Sequence, residues 1–105
     1  MKKIITAMGN TVLNNELKRY EDYDVFENDL FYQDAVEDIL TSKKYDVLII
    51  SALLQGQYEF TDFIEKIRKK DEEIRIIVIT DETSSSFQRK LKENKVSDIL
   101  LDRDI

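Results

Sequence analysis

Short runs of apolar residues, separated by longer mixed stretches, are the main pattern along the chain. Two of these runs, residues 46–50 and 74–79, are apolar at nearly every consecutive position. Consecutive apolar residues are typical of central parallel strands, because helices cover both faces of such a strand. Three weaker runs predict further strands at residues 3–8, 23–27 and 99–101. The pattern therefore predicts five strands.

Between the first strands, apolar residues recur at the three- and four-residue spacing of a helix. The first predicted helix has its start capped by Asn10 or Thr11. The second has Asp29 as its predicted cap. Their apolar faces consist of Leu13, Leu17 and Tyr20 in the first helix, and of Phe31, Ala35, Val36, Ile39 and Leu40 in the second.

The second half of the chain predicts two more helices. One spans residues 58–70, with an apolar stripe of Phe60, Phe63, Ile64 and Ile67. In the other, Ser85 and Gln88 have the spacing of a capping box, and the helix continues through Leu91. Strands that alternate with helices in this way predict right-handed crossovers and one parallel sheet in an α/β domain.

Composition excludes several kinds of chemistry. The 105 residues include no Cys and no His, so there is no disulfide, no thiol nucleophile, no Cys-ligated zinc and no imidazole base. The formal net charge of −6 disfavours binding to nucleic-acid phosphates. No apolar stretch is long enough for a membrane span, and no signal peptide is indicated. We therefore expect one cytoplasmic domain over residues 1–105, without a cofactor.

Residues at the ends of the predicted strands carry a family resemblance. Residues 46–56, DVLIISALLQG, are similar to the third-strand motif of response-regulator receiver domains, the CheY-like domains. Residues 76–80, IIVIT, resemble the fourth receiver strand, which ends in a switch Ser or Thr, here Thr80. Gly56 and Asp98 also echo recurrent positions of that family. The resemblance implies a flavodoxin-like sheet of five parallel strands in the order 2-1-3-4-5.

The same comparison of positions indicates what the chain lacks for phosphorylation. Ser51 stands where receivers carry the phosphate-accepting aspartate, and Asp102 stands where they carry a lysine. Met8 and Gly9 occupy the place of the acidic pair that binds magnesium, and Gln55 replaces a proline. Phosphoryl transfer to a receiver needs the carboxylate, the metal site and the cation. The resemblance therefore implies a degenerate pseudo-receiver that acts by binding, not as an enzyme.

Other chemistry at the strand ends stays open as an alternative. Ser51 is either a nucleophile with a Lys or carboxylate base, or a small polar residue at a strand end. Asp29, Asp81 and Asp102 either converge on a cation or serve as ordinary loop and cap residues. A small flavodoxin-like enzyme or ligand-sensing domain is thus the alternative to a binding module.

Aromatic residues admit two interpretations. Most of them fall on the inward stripe of a predicted helix or beside a strand, which favours core packing over a ligand pocket. Tyr32 and Tyr58 lie off these stripes. We expect these two side chains at the surface.

The sequence has no fifth helix after its fifth predicted strand. We expect part of one sheet face to lie bare, and residues 1–105 to be either the N-terminal part of a longer protein or a domain that dimerises through the gap. In receivers the fourth helix and fifth strand commonly form the partner surface, which here implies Phe87, Leu91, Ile99 and Leu101. The pattern also resembles the receiver-like N-terminal domain of TadZ/CpaE-type ATPases, which are related to MinD and ParA. That resemblance implies a downstream ATPase as the effector.

Overall fold

The structure is a computed structural model that describes residues 1–102. Strands and helices alternate along these residues, as the sequence predicts, with ends shifted by a few positions. Their bounds are β1 Lys2–Ala7, α1 Thr11–Leu17, β2 Tyr23–Val25, α2 Gln33–Ser42, β3 Val47–Ser51, α3 Phe60–Lys70, β4 Arg75–Thr80, α4 Ser85–Glu93 and β5 Asp98–Leu101. Within the described residues, none of the four helices combines the length and the apolar composition that crossing a membrane requires.

The five strands form one parallel sheet in the order β2-β1-β3-β4-β5. This order confirms the one implied by the resemblance. The two most uniformly apolar runs, β3 and β4, each pair on both sides. In register, Ala7 lies opposite Ile50, and Ile50 lies opposite Val78. The carboxyl ends of the strands therefore meet at one edge, which we call the strand-end edge, and functional sites of such sheets lie there.

The hydrophobic core lies between one face of the sheet and helices α2, α3 and α4. Alternate strand residues point to this face, and Leu48, Ile50 and Val78 are completely buried on it. Phe63 of α3 and Leu91 of α4 pack into the same cluster. The helical stripes predicted from the sequence thus supply the other half of the core.

The opposite face of the sheet is covered less completely. α1 lies on it, because Asn14 of α1 donates to Thr6, which is opposite Ile49 in register. Ile49 and Ile77 are only half-buried, and Leu100 on the same face is 43% exposed. Within residues 1–102, this face keeps accessible apolar surface.

The start of α2 differs from the prediction. The helix begins at Gln33, because the main-chain N–H of Gln33 donates to the carbonyl of Gln55 at 2.8 Å and Tyr32 is still extended. Phe31 therefore precedes the helix and is 54% exposed instead of packing in the core. Asp29 does not cap this helix.

Two other helix ends can be compared with their predicted caps. The side chain of Asn10 accepts the N–H of Leu13 at 3.0 Å, which confirms Asn10 as the cap of α1. The capping box at Ser85 is wrong: the N-cap is Ser84, and its side chain makes no capping hydrogen bond. Tyr20 lies beyond the end of α1 and is 61% exposed.

The C-terminal ends of α3 and α4 are joined by Arg68. This residue is 9% exposed, and its guanidinium donates to the carbonyl oxygens of Asn94, Asp71 and Lys95 at 2.9, 3.1 and 3.2 Å. Burial lowers the pKa of Arg68, and the charges of Asp71 and Glu72 act against that shift. A cation in this position also favours both helix C-termini electrostatically.

α4 ends in a Schellman turn. The N–H of Val96 donates to the carbonyl of Leu91 at 3.1 Å, and the N–H of Lys95 donates to that of Lys92 at 2.9 Å. Lys95 has a φ of 58°, in the left-handed region that favours glycine.

Candidate functional site

A cleft of about 400 Å³ opens at the strand-end edge between α3 and α4. Three residues singled out from the sequence line it together: Ser51 at the end of β3, Thr80 at the end of β4 and Asp102 after β5. They meet because Ser51 is opposite Ile79 in register, and Thr80 is opposite Leu101. Three positions that the family resemblance singled out from the sequence therefore line one cleft.

Ser51 is held in a turn by its own hydroxyl group. The Oγ atom accepts the main-chain N–H of Leu53 at 3.1 Å, the geometry of an ST turn. In residues 1–102, no Lys, Asp or Glu side chain hydrogen-bonds to this hydroxyl. A nucleophilic serine needs a base in contact with it. The contacts of Ser51 are therefore those of a small polar residue at a strand end.

Thr80 has a comparable role in the next loop. It is 5% exposed, and its Oγ1 accepts the main-chain N–H of Glu82 at 3.0 Å. The charged side chains around these two hydroxyls are mostly acidic. Four carboxylates and one ammonium line the cleft: Glu59, Asp81, Glu82, Asp102 and Lys90. This excess of negative charge repels an anionic phosphate.

One wall of the cleft is aromatic. Phe60 and Phe87 stack with ring centroids 6.2 Å apart and an interplanar angle of 29°, and both line the cleft. From the sequence, Phe60 was predicted to pack in the core and Phe87 to face a partner. Both residues lie in the first turn of a helix that starts at the strand-end edge. This position in a first helical turn is the sequence signal that could have placed both residues beside the site.

The loop between β1 and α1 is held by the carboxylate of Asp29, which is 6% exposed. Its Oδ1 accepts the hydroxyl of Thr6 at 2.8 Å and the N–H of Met8 at 2.9 Å, and its Oδ2 accepts the N–H of Asn10 at 2.7 Å. Asn14 in turn donates to the Thr6 hydroxyl at 2.8 Å. Asp29 thus fixes the β1–α1 loop, a role that the sequence analysis missed.

Asp29 does not converge with the other two aspartates considered as cation ligands. It is bonded to the β1–α1 loop, whereas Asp81 and Asp102 line the cleft. Met8 and Gly9, which the family resemblance aligns with the acidic metal-binding pair of receivers, bring no carboxylate. Over residues 1–102, no three His, Cys, Asp or Glu residues are placed to hold a metal ion. The residues present do not fit the divalent cation that receiver phosphorylation requires.

The loop between β3 and α3 is fixed to α2 by the side chain of Gln33, which is 2% exposed. Its Nε2 donates to the carbonyl of Tyr58 at 2.9 Å, and its Oε1 accepts the N–H of Tyr58 at 3.1 Å. Gly56 approaches so closely that a Cβ atom there would overlap the Gln33 side chain. Lys66 pairs with Glu37 and donates to the Tyr58 hydroxyl, each at 2.9 Å, and Glu37 first and Tyr58 second raise the pKa of Lys66.

Comparison with known proteins gives matches among solved structures. No family model matches the chain, and no curated protein matches it. The RcsB response regulator of Salmonella typhimurium superposes with a TM-score of 0.85 at 17% identity, over 98% of this chain and 55% of that one. A CheY-like receiver domain protein from Methanospirillum hungatei JF-1 gives 0.80 at 15% identity, over 99% and 86%. The isolated REC domain of RcsB from Salmonella enterica serovar Typhimurium gives 0.81 at 17% identity, over 97% and 78%. The chain has the receiver fold.

Within the receiver fold, the predicted partner surface on α4 and β5 needs one correction. Leu91 is completely buried in the core, so the prediction is wrong for that residue. Phe87, Ile99 and Leu101 are half-buried and retain accessible surface. The neighbouring Leu100 is more exposed than these three. The chain spans 55% of the length of RcsB.

Proposed function

We propose that the chain is a phosphorylation-independent receiver-like module that regulates by binding a protein, and that it is not an enzyme. The observation that carries this proposal is the state of the acceptor position. Ser51 supplies no carboxylate, and its hydroxyl is engaged in a turn with Leu53. Met8, Gly9 and Asp102 leave the metal and cation positions without their ligands as well. Phosphoryl transfer thus lacks three separate requirements.

The effector in this proposal is joined to the domain or recruited by it. RcsB, which has the same fold, carries its receiver within a longer chain. We propose that residues 1–105 are the N-terminal domain that controls or localises a MinD/ParA-like ATPase in the cytoplasm. The net charge of −6 supports a protein partner over a nucleic acid.

The surface for this effector in our proposal is the exposed side of α4 and β5. Phe87, Ile99 and Leu101 keep part of their side chains accessible. Apolar side chains that remain accessible in one region support a protein interface there. A second copy of the chain is the alternative occupant, and sedimentation of the purified protein distinguishes the two.

Incubation with acetyl phosphate and Mg²⁺, followed by intact-mass measurement, tests the central claim. We expect no phosphoryl adduct, while a phosphorylatable receiver in the same tube gains one. The Ser51→Asp variant is also expected to gain none, because the metal and cation positions remain changed. A stoichiometric adduct on the wild-type chain would overturn the proposal.

A ligand-sensing domain is the second candidate, and the cleft favours it. The cleft has a volume of about 400 Å³ and an aromatic wall of Phe60 and Phe87. Pockets of this size with a few polar groups are typical of small-molecule sites. Native mass spectrometry of the purified protein tests this candidate: a bound small molecule lost in the Phe87→Ala variant supports it, and an unliganded mass excludes a tightly bound ligand.

A further inference from the structure

Two adjacent aromatic side chains project from the strand-end edge outside the cleft. Phe31 is 54% exposed and Tyr32 is 59% exposed, in the segment between β2 and α2. We call this pair the aromatic ridge. Large exposed aromatic side chains are enriched at protein interfaces, since they bury much area at little entropic cost. Neither side chain belongs to the hydrophobic core, because both are more than half exposed.

The aromatic ridge separates two shallow grooves. The first, of about 410 Å³, runs between α1 and the segment before α2 and is lined by Thr11, Asn15 and both ridge residues. The second, of about 460 Å³, runs between α2 and the β3–α3 loop and is lined by Tyr32 and Gln55 among others. Tyr32 lines both grooves, so the two grooves flank the aromatic ridge.

The charged residues that line the two grooves are all acidic, whereas Lys18 lies beside the first groove, because its ammonium donates to the carbonyl oxygen of Glu27. Glu27 and Asp29 line the first groove, where the Asp29 carboxylate is buried and bonded to the β1–α1 loop, and Asp34 and Asp38 line the second. Among the described residues, neither groove is lined by a Lys or Arg side chain. Glu27, Asp34 and Asp38 are exposed and therefore accessible to a partner. Negative charge on both sides of the aromatic ridge attracts cations and repels phosphate-bearing surfaces.

The backbone under the ridge is held in place before any partner binds. Tyr32 forms an isolated parallel bridge with Gln55, and the N–H of Gln33 donates to the carbonyl of Gln55 at 2.8 Å. The Gln33 side chain is bonded on both of its polar atoms to Tyr58. A surface ordered in advance loses less entropy on association, so its contacts contribute more to affinity.

We propose that the aromatic ridge and its two grooves are the docking surface for a basic amphipathic helix of a partner protein. Because the aromatic ridge lies between two grooves lined by acidic residues, a complementary partner surface has an apolar stripe between two rows of cations. A helix presents that arrangement when apolar residues recur at i, i+3, i+4 and i+7 with Lys or Arg beside them. This surface is separate from the α4–β5 surface, and an acetyl phosphate experiment does not probe it.

A titration monitored by NMR tests the proposal on the full chain. The probe is a synthetic amphipathic peptide of about 18 residues, long enough for a helix, with Leu and Ala on one face and Lys on the other. We expect it to perturb the amide signals of Phe31 and Tyr32 first, and to bind more weakly as salt rises. The Phe31→Ala/Tyr32→Ala variant should bind at least tenfold more weakly, since buried aromatic anchors dominate such interfaces.

Two controls make the result specific to the ridge. Tyr20→Ala/Tyr23→Ala removes a comparable exposed aromatic pair, whose rings lie 5.5 Å apart, and should leave the affinity unchanged. Asp34→Lys/Asp38→Lys keeps the aromatic ridge but reverses the charge of one groove, and it should also weaken binding of the peptide. Circular dichroism verifies that each variant is folded. Equal binding by the ridge variant, equal binding of a peptide with Glu in place of Lys, or ridge-dependent binding to anionic lipid vesicles would each overturn the proposal.

Discussion

Replacement of Asp29 by Asn tests whether one buried carboxylate holds the β1–α1 loop. In the wild type, both carboxylate oxygens accept hydrogen bonds, from Thr6 and Met8 on Oδ1 and from Asn10 on Oδ2. The Thr6 hydroxyl already accepts a hydrogen bond from Asn14, so its own proton is directed at Asp29. An amide keeps one acceptor oxygen and places an NH₂ group against at least one of these donors.

The magnitude follows from the number of lost bonds. A hydrogen bond to a charged group contributes about 1.5–3 kcal/mol to folding stability, and a buried donor left without a partner costs about 1–3 kcal/mol. If the amide oxygen keeps the two donors on Oδ1, the N–H of Asn10 loses its partner. We therefore expect Asp29→Asn to lower the free energy of unfolding by about 2–3 kcal/mol. A domain of this size has a total stability of about 5–15 kcal/mol, so the loss is easily measured.

Urea denaturation followed by circular dichroism is the suitable assay, because the chain has no tryptophan for fluorescence. Asp22→Asn is the matched control, since Asp22 is exposed and its side chain makes no hydrogen bond in the described structure. We expect the control to stay within about 0.5 kcal/mol of the wild type. If Asp29→Asn also stays within that margin, the carboxylate does not hold the loop and the reasoning is refuted.

Three further predictions concern stability. Arg68→Met removes three hydrogen bonds to carbonyls and should lower the free energy of unfolding by about 3 kcal/mol in urea denaturation. Arg68→Lys should give an intermediate loss. A Met variant as stable as the wild type would contradict the role of the guanidinium. Lys95 has a left-handed backbone (φ 58°), which glycine adopts without strain. Lys95→Gly should therefore raise the free energy of unfolding by about 0.5–1 kcal/mol, seen as a higher urea midpoint. An unchanged or lower midpoint would argue against strain at this residue. Burial, and after it the charge of Asp24, raises the pKa of Tyr45 above its ordinary value of 10.0. The stability that the neutral Tyr45 phenol contributes is therefore fully present below pH 10.0 and is lost as the pH rises through the raised pKa. Tyr45→Phe should therefore lose less stability than the wild type above pH 10.0, and parallel pH profiles would refute this assignment.

The fold was predictable because its signals are local. The runs at β3 and β4 are apolar on consecutive residues, and this pattern alone indicates interior parallel strands. The start of α2 was not predictable in the same way. Phe31 and Ala35 have helical spacing, yet the N–H of Gln33 is bonded to Gln55, more than twenty residues away in the chain. A contact of that sequence separation overrides the local pattern.

The site was predictable only in part, for a similar reason. Ser51, Thr80 and Asp102 meet in one cleft because parallel register brings strand ends together, and the family resemblance had already singled them out. The role of Asp29 depends on donors about twenty residues earlier, on a loop whose conformation the sequence does not specify. An aspartate before a helix reads as a cap unless that geometry is known.

The close approach of Gly56 to Gln33 has a consequence for how the sequence can change over evolution. Any side chain at residue 56 would overlap the Gln33 side chain, which in turn satisfies both main-chain polar groups of Tyr58. Neither position can therefore vary alone without cost. A descendant with a larger residue at 56 must also shorten residue 33 and find new partners for the loop. Among related sequences, these two positions should covary, although they lie far apart in the chain.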